Sequence, residues 1–164
     1  MNTPMPAQTL YLDTSVIGGY FDAEFMADTR ALWRLMERGA YRFYTSRVAM
    51  NELRTAPLAV RELSARTFAD PARILDVSPE AFALANAYLA AGVVPAKFGD
   101  DAAHVAVATC EGIGLIASWN FKHLASLHRN ERFNAVNLLH GRPAIRIVAP
   151  NVLLNPDEDS QENI

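Results

Sequence analysis

The chain has 164 residues, of which 51% are hydrophobic and 20% charged, with a formal net charge of −3. This is the composition of a single soluble globular domain, long enough to bury about two-thirds of its extended surface. It excludes a disordered or fibrous chain, and no apolar run approaches the ~20 residues of a membrane span. The single cysteine, Cys110, excludes an internal disulfide, and Met1-Asn2-Thr3-Pro4-Met5-Pro6 lacks the basic and apolar segments of a secretory leader. A cytoplasmic protein with no membrane association is the expectation.

In chain order, residues 8–13 form a β-prone run that ends in an acid, Asp13, and Thr14-Ser15 suit the opening of a turn or helix. Gly18-Gly19 are expected to interrupt the chain before a helix near 23–38, where Phe25, Leu32, Leu35 and Met36 recur at helical spacing. Tyr41-Arg42-Phe43-Tyr44-Thr45 reads as a second strand, and Ser46 as the cap of a helix carrying Glu52. Pro57 starts a helix to about Thr67, and 73–77 reads as a short strand. Ser78-Pro79-Glu80 opens a helix that Gly92 stops. Gly99-Asp100-Asp101 opens a helix of small apolar residues to Cys110, with one of the two acids expected to cap it. Leu115–Ser118 suits a central strand, and Ile145–Val148 a peripheral one. Strands separated by helices imply a parallel sheet covered on both faces, an α/β/α arrangement. One domain over 1–154 is expected, followed by an acidic, disordered tail over 155–164 that holds Asp157, Glu158, Asp159 and Glu162.

Charge is unevenly spread. Residues 30–73 hold nine arginines against Glu37, Glu52, Glu62 and Asp70, an excess of +5 that suits either solvated helix faces or a phosphate-contacting surface.

The placement of the acids carries the chemistry. In an open α/β sheet the functional crevice lies beyond the carboxyl ends of the strands. Asp13 ends the first strand, Glu52 lies on the helix after the second, Asp100 and Asp101 open the buried helix, and Asn120 follows the strand Leu115–Ser118 by two residues. Each has a plainer role open to it: a turn cap for Asp13, an exposed helix position for Glu52, a helix cap for Asn120. Brought onto one rim, the carboxylates would repel strongly unless a hard cation such as Mg²⁺ or Mn²⁺ offset them, and such a cation activates water against a phosphodiester. Competing chemistry is poorly represented: there is no phosphate loop, no GxGxxG and no GxSxG elbow, and His104, His123, His128 and His140 lack zinc-type spacing. His104 and Cys110 read as core residues, and Trp33 and Trp119 as core or cleft-wall aromatics.

Three segments resemble motifs of a known family. Tyr11-Leu12-Asp13-Thr14-Ser15-Val16-Ile17-Gly18-Gly19-Tyr20-Phe21 is similar to the opening motif of PIN-domain proteins, and Asp101-Ala102-Ala103-His104-Val105-Ala106-Val107-Ala108 to their third acidic motif. Ser118-Trp119-Asn120-Phe121-Lys122-His123-Leu124 resembles the fourth segment of a subgroup with a Ser-Trp-Asn signature, and 136–141 and 145–150 resemble its closing elements. The likeness runs from about residue 9 to 153. It implies a three-layer α/β/α PIN-like domain with a central, mainly parallel sheet, and a metal-dependent endoribonuclease of the VapC type, the toxin of a type II toxin–antitoxin pair. A homodimer and a cognate antitoxin are implied with it.

Carried over by position, the resemblance makes Asp13, Glu52 and Asp101 catalytic and metal-holding acids using Mg²⁺ or Mn²⁺, and Asn120 the fourth catalytic position, with Ser118 and Asp100 secondary. Many relatives have aspartate where this chain has Asn120. A neutral amide there leaves the site one charge less negative, so one well-held cation is expected, with a second recruited alongside the RNA phosphate. Arg47 and Arg54, which flank Glu52 in sequence, are the expected RNA contacts. A PIN-like module that binds RNA or protein without cutting is the alternative.

Overall fold

Parallel pairing of all five strands organises the chain, in the spatial order β3-β2-β1-β4-β5. The computed structural model describes residues 6–155. The leader reading at residues 1–5 and the tail reading at residues 156–164 lie outside them. The strands are β1 (Gln8–Leu12), β2 (Tyr41–Ser46), β3 (Ile74–Leu75), β4 (Leu115–Ala117) and β5 (Arg146–Val148). The helices are α1 (Thr14–Gly19), α2 (Met26–Glu37), α3 (Arg47–Glu52), α4 (Leu58–Thr67), α5 (Pro79–Ala90), α6 (Gly99–Cys110) and α7 (Leu127–Leu139).

Side chains alternate across the sheet, as a strand's period of two requires. Leu10 and Leu12 of β1, with Leu115 and Ala117 of β4, join a core that includes Val16, Leu32, Trp33 and Leu63 from α1, α2 and α4. Tyr11 and Ile116 point the other way, into a core with Leu84 and Tyr88 of α5, Val105 of α6 and Phe133 of α7. The three-layer α/β/α arrangement with a central parallel sheet expected from sequence is therefore present. The chain builds outward from β1 through β2 to β3, then returns to place β4 and β5 on the other side. The strand order thus reverses between β1 and β4, and at such a switch point the carboxyl ends of neighbouring strands diverge and leave a crevice.

Several local expectations are corrected. Gly18 and Gly19 do not interrupt the chain; they finish α1, whose N-cap is Asp13. The strand expected over 73–77 shrinks to Ile74–Leu75, because a 3-10 turn at Pro71–Arg73 precedes it and it pairs only with Thr45 and Ser46. Neither Asp100 nor Asp101 caps α6: the 3-10 turn Ala96–Phe98 runs straight into the helix, Phe98 is the N-cap position and both acids fall in the first turn. A capping side chain sits on an extended residue, and this turn leaves no such place for an aspartate. Asn120 does not cap α7. Its Oδ1 accepts from the His123 N–H at 3.0 Å and closes a turn, while Ser126 caps α7 through the Arg129 N–H at 3.2 Å.

Candidate active site

Asp13 stands immediately beyond β1 and is 3% exposed. Its Oδ1 accepts from the Ser15 hydroxyl at 2.6 Å and the Val16 N–H at 3.2 Å, and its Oδ2 accepts from the Ser118 hydroxyl at 2.5 Å. The cap reading of Asp13 is therefore borne out, and capping α1 is what holds the carboxylate at the switch point. Burial pushes the Asp13 pKa up, against the His104 imidazole and the donors Ser118, Ser15 and Val16. Ser118 is wholly buried at the end of β4 and also accepts from the Asn120 N–H at 3.0 Å. Ser15 completes the floor by accepting from the Trp119 N–H at 2.9 Å.

Glu52, at the end of α3, is fixed by two donors. His104 Nε2 lies 2.6 Å from its Oε1, and the Thr14 hydroxyl donates to the same oxygen at 2.8 Å. Burial would raise the Glu52 pKa, but hydrogen bonding and charge from His104, with Thr14, outweigh it and hold the carboxyl below its ordinary value.

Asp101 shows the opposite balance. Burial raises its pKa to about 6; His104 opposes this, and the charges of Asp13, Glu52 and Asp100 add to it. Asn120 Nδ2 lies 3.5 Å from Asp101 Oδ2, which brings the fourth position against the third acid. Asp100 is exposed on the same first turn.

The structure thus brings Asp13, Glu52, Asp101, Asn120 and Ser118 to one rim, where the three buried or half-buried acids act on one another. It does not bring the two arginines there. Arg47 is exposed and pairs with Asp76 at 3.3 Å, and Arg54 lines a separate groove with Met50, Arg61 and Phe68. Four side chains that the sequence reading does not single out as site residues support the acids: Thr14, Ser15 and His104 bond to them directly, and Tyr11 bonds to His104. The available signal was the placement of His104 one turn after Asp101 on α6, and of Thr14 and Ser15 directly after Asp13.

The donor chemistry suits a hard divalent cation: the acids supply oxygens, and burial together with the neighbouring carboxylates holds the Asp101 pKa above its ordinary range. The side chains do not stand as a closed coordination shell; among the described residues no three His, Cys, Asp or Glu groups have ready metal-holding geometry. An apolar groove of about 940 Å³ lies elsewhere, between α7, β5 and the 3-10 turn Pro150–Leu153, lined by Leu127, Leu138, Ile147 and Val152. It contains none of the acids. Among the described residues no helix is long and apolar enough to cross a membrane.

No family model and no curated protein matches the chain. Solved structures that share its fold include the crystal structure of FitAcB from Neisseria gonorrhoeae, at 19% identity and a TM-score of 0.55, covering 86% of this chain and 97% of that one. The structure of FitAB bound to an IR36 DNA fragment is similar at 16% identity and a TM-score of 0.54, covering 86% of this chain and 94% of that one. At these identities the likeness establishes the fold.

Proposed function

We propose that the chain is a metal-dependent endoribonuclease, the toxin of a type II toxin–antitoxin pair, working in the cytoplasm. The observation that carries this reading is the rim itself: Asp13, Glu52 and Asp101 come from three different elements, and burial, with the charges of Asp13 and Glu52 beside it, raises the Asp101 pKa. A structural role gives no reason to gather repelling acids at a switch point, whereas phosphodiester hydrolysis does.

In this reading Asp13, Glu52 and Asp101 hold Mg²⁺ or Mn²⁺, which when bound lowers the pKa of a coordinated water and offsets charge on the phosphoryl oxygens. Ser118 and Ser15 oppose the rise that burial imposes on the Asp13 pKa, and they orient its carboxyl by donating to opposite oxygens. Asn120 adds an amide beside Asp101 without adding charge, and Asp100 stands ready at the rim. Arg47 and Arg54, away from the acids, contact RNA phosphates outside the reacting centre. The fold likeness to FitAcB and FitAB supports a partner protein for this chain, whose segment would enter the acidic cleft; a second copy of the chain is the other proposed partner.

The test is cleavage of a mixed tRNA and structured-RNA pool by purified protein in Mn²⁺, against chelator and Asp13→Asn controls. Cleavage that needs metal and is lost in Asp13→Asn supports the reading. RNA binding that persists in chelator, with no cleavage by folded, metal-loaded protein, would replace it with the non-catalytic module.

A further inference from the structure

Four side chains from four elements form a continuous hydrogen-bonded line that ends on Glu52. Ser46, at the end of β2, is fully buried; its Oγ accepts from the Val48 N–H at 3.2 Å as the cap of α3 and lies 2.7 Å from the Tyr11 hydroxyl. Tyr11, fully buried on β1, places that hydroxyl 2.6 Å from His104 Nδ1. His104, on α6 and 2% exposed, then reaches Glu52 Oε1 with Nε2 at 2.6 Å. The Tyr11 and His104 rings also meet edge to face, with centroids 5.7 Å apart. Each buried polar atom on the line has a partner, so the imidazole cannot rotate without leaving at least two groups unpaired in the core.

The end of the line is asymmetric. Oε1 of Glu52 takes both the His104 and Thr14 donors, and among the described residues Oε2 takes none. Glu52 stands where α3 passes into the 3-10 turn Leu53–Thr55, and its carboxylate is carried on a side chain one methylene longer than those of Asp13 and Asp101. Without a brace its long side chain would sample several rotamers, and ordering it would weaken any ligand bound there.

Resting on the nuclease reading above, we propose that His104 and Tyr11 are positioning residues that tie down Oε1 of Glu52 and leave Oε2 as its single ligand oxygen for the divalent cation. Neither residue touches the reacting atoms. Hydrogen bonds that orient a metal-binding side chain are typically worth about 10–100-fold in metal affinity. A brace three residues deep would place His104 at the upper part of that range and Tyr11, one step further back, below it.

The experiment is Mn²⁺ titration calorimetry on the full chain, with proton NMR of the imidazole N–H groups. In the free protein, an exchange-protected downfield proton from His104 Nε2 is expected, and it should move upfield in Glu52→Gln, where a neutral amide oxygen replaces the carboxylate, and shift in Tyr11→Phe. Mn²⁺ affinity should fall about 10–100-fold in His104→Leu, recover in part in His104→Gln, which returns a donor, and fall less in Tyr11→Phe. In a Glu52→Gln background, His104→Leu should have no further effect. The positioning role is overturned if folded His104→Leu binds Mn²⁺ like the parent, or if its loss is equally large without Glu52. If the parent shows the protected proton but binds no Mn²⁺, the nuclease reading fails and the positioning role falls with it, whereas an unaltered His104→Leu in a metal-binding parent sinks the positioning role alone.

Discussion

The Ser118 hydroxyl lies 2.5 Å from Asp13 Oδ2, so one hydrogen bond joins the carboxyl ends of β4 and β1 at the point where the strand order reverses. Asp13 is almost fully buried, and this burial already makes its ionised form costly. Ser118→Ala removes one of its three donors, which pushes the Asp13 pKa further up. A carboxyl whose folded pKa is raised costs stability as pH climbs above its unfolded value, so the penalty of the substitution should grow with pH. We expect unfolding free energy to drop by about 1–3 kcal/mol at pH 7.5 and by less in acid. Urea denaturation at several pH values measures it; a pH-independent loss would show that Ser118 acts through packing instead.

Asp101→Asn should have the opposite sign. The Asp101 pKa rises from 3.8 to about 6 on folding, so the folded protein takes up a proton between those values and loses stability as pH rises through that window. Two pK units correspond to about 3 kcal/mol, and solvent screening of a half-buried group reduces this to about 1–2 kcal/mol. The asparagine variant should therefore be more stable than its parent at pH 7.5 and indistinguishable from it near pH 4. Such a gain marks a residue kept for function at the expense of the fold. Thermal melts at the two pH values check this, and equal stability at pH 7.5 would mean that neither burial nor the neighbouring acids make the Asp101 carboxylate costly to fold.

Most of the fold was legible because its signals are local. Ser46 and Ser78 cap the helices they announce, and the apolar run at Leu115 is a central strand. What was missed depends on contacts distant in sequence. Nothing near Asp101 shows that Ala96–Phe98 would deny it the cap, and α7 presents Leu127, Leu138 and Leu139 to solvent, which blurs any apolar stripe. At the site, the acids could be placed from their position relative to strand ends. Their partners could not, since Tyr11 and His104 lie 93 residues apart and read singly as an aromatic strand residue and a packing histidine. The nine arginines of residues 30–73 illustrate the same limit: Arg73 covers the Phe43 ring at 3.9 Å and Arg30 the Tyr20 ring at 4.8 Å, so part of that charge excess serves packing.

Gly19 is required by Trp119. A Cβ at position 19 would sit 2.8 Å from both Cδ1 and Nε1 of the indole and 3.1 Å from Thr29 Oγ1, to which the indole donates. The ring cannot move aside freely, because its other side is stacked on Phe25 at 4.4 Å. Gly19→Ala should lower stability by about 1–3 kcal/mol through overpacking. Since the Trp119 N–H is bonded to Ser15 and Asn120 follows it, the displacement should also reach the acid rim. A red-shifted tryptophan emission with a lowered melting temperature is the expected result, and an unchanged melt would show that α1 absorbs the methyl by itself.

The free side of β5 is closed by asparagines. Arg146 and Val148 bond to the β4 side, through Gly114 O and the Ser118 N–H, so the backbone of Ile145 and Ile147 faces outward. Asn134 pairs with both backbone groups of Ile145, at 2.8 and 2.9 Å, and Asn130 with both of Ile147, at 2.7 and 3.1 Å. Four residues apart on α7, these two amides meet backbone groups two residues apart on the strand, and so stand in for a missing sixth strand. An uncovered edge is a template for pairing with another chain. Asn130→Ala and Asn134→Ala should each cost about 1–3 kcal/mol by leaving two backbone groups unpaired. The double variant should also self-associate with rising concentration, because the exposed edge can then pair with a second copy. Faster hydrogen exchange at the Ile145 and Ile147 amides, with sedimentation across a concentration series, reads both effects. Exchange that stays slow in the double variant would mean that the helix, and not its asparagines, protects the edge.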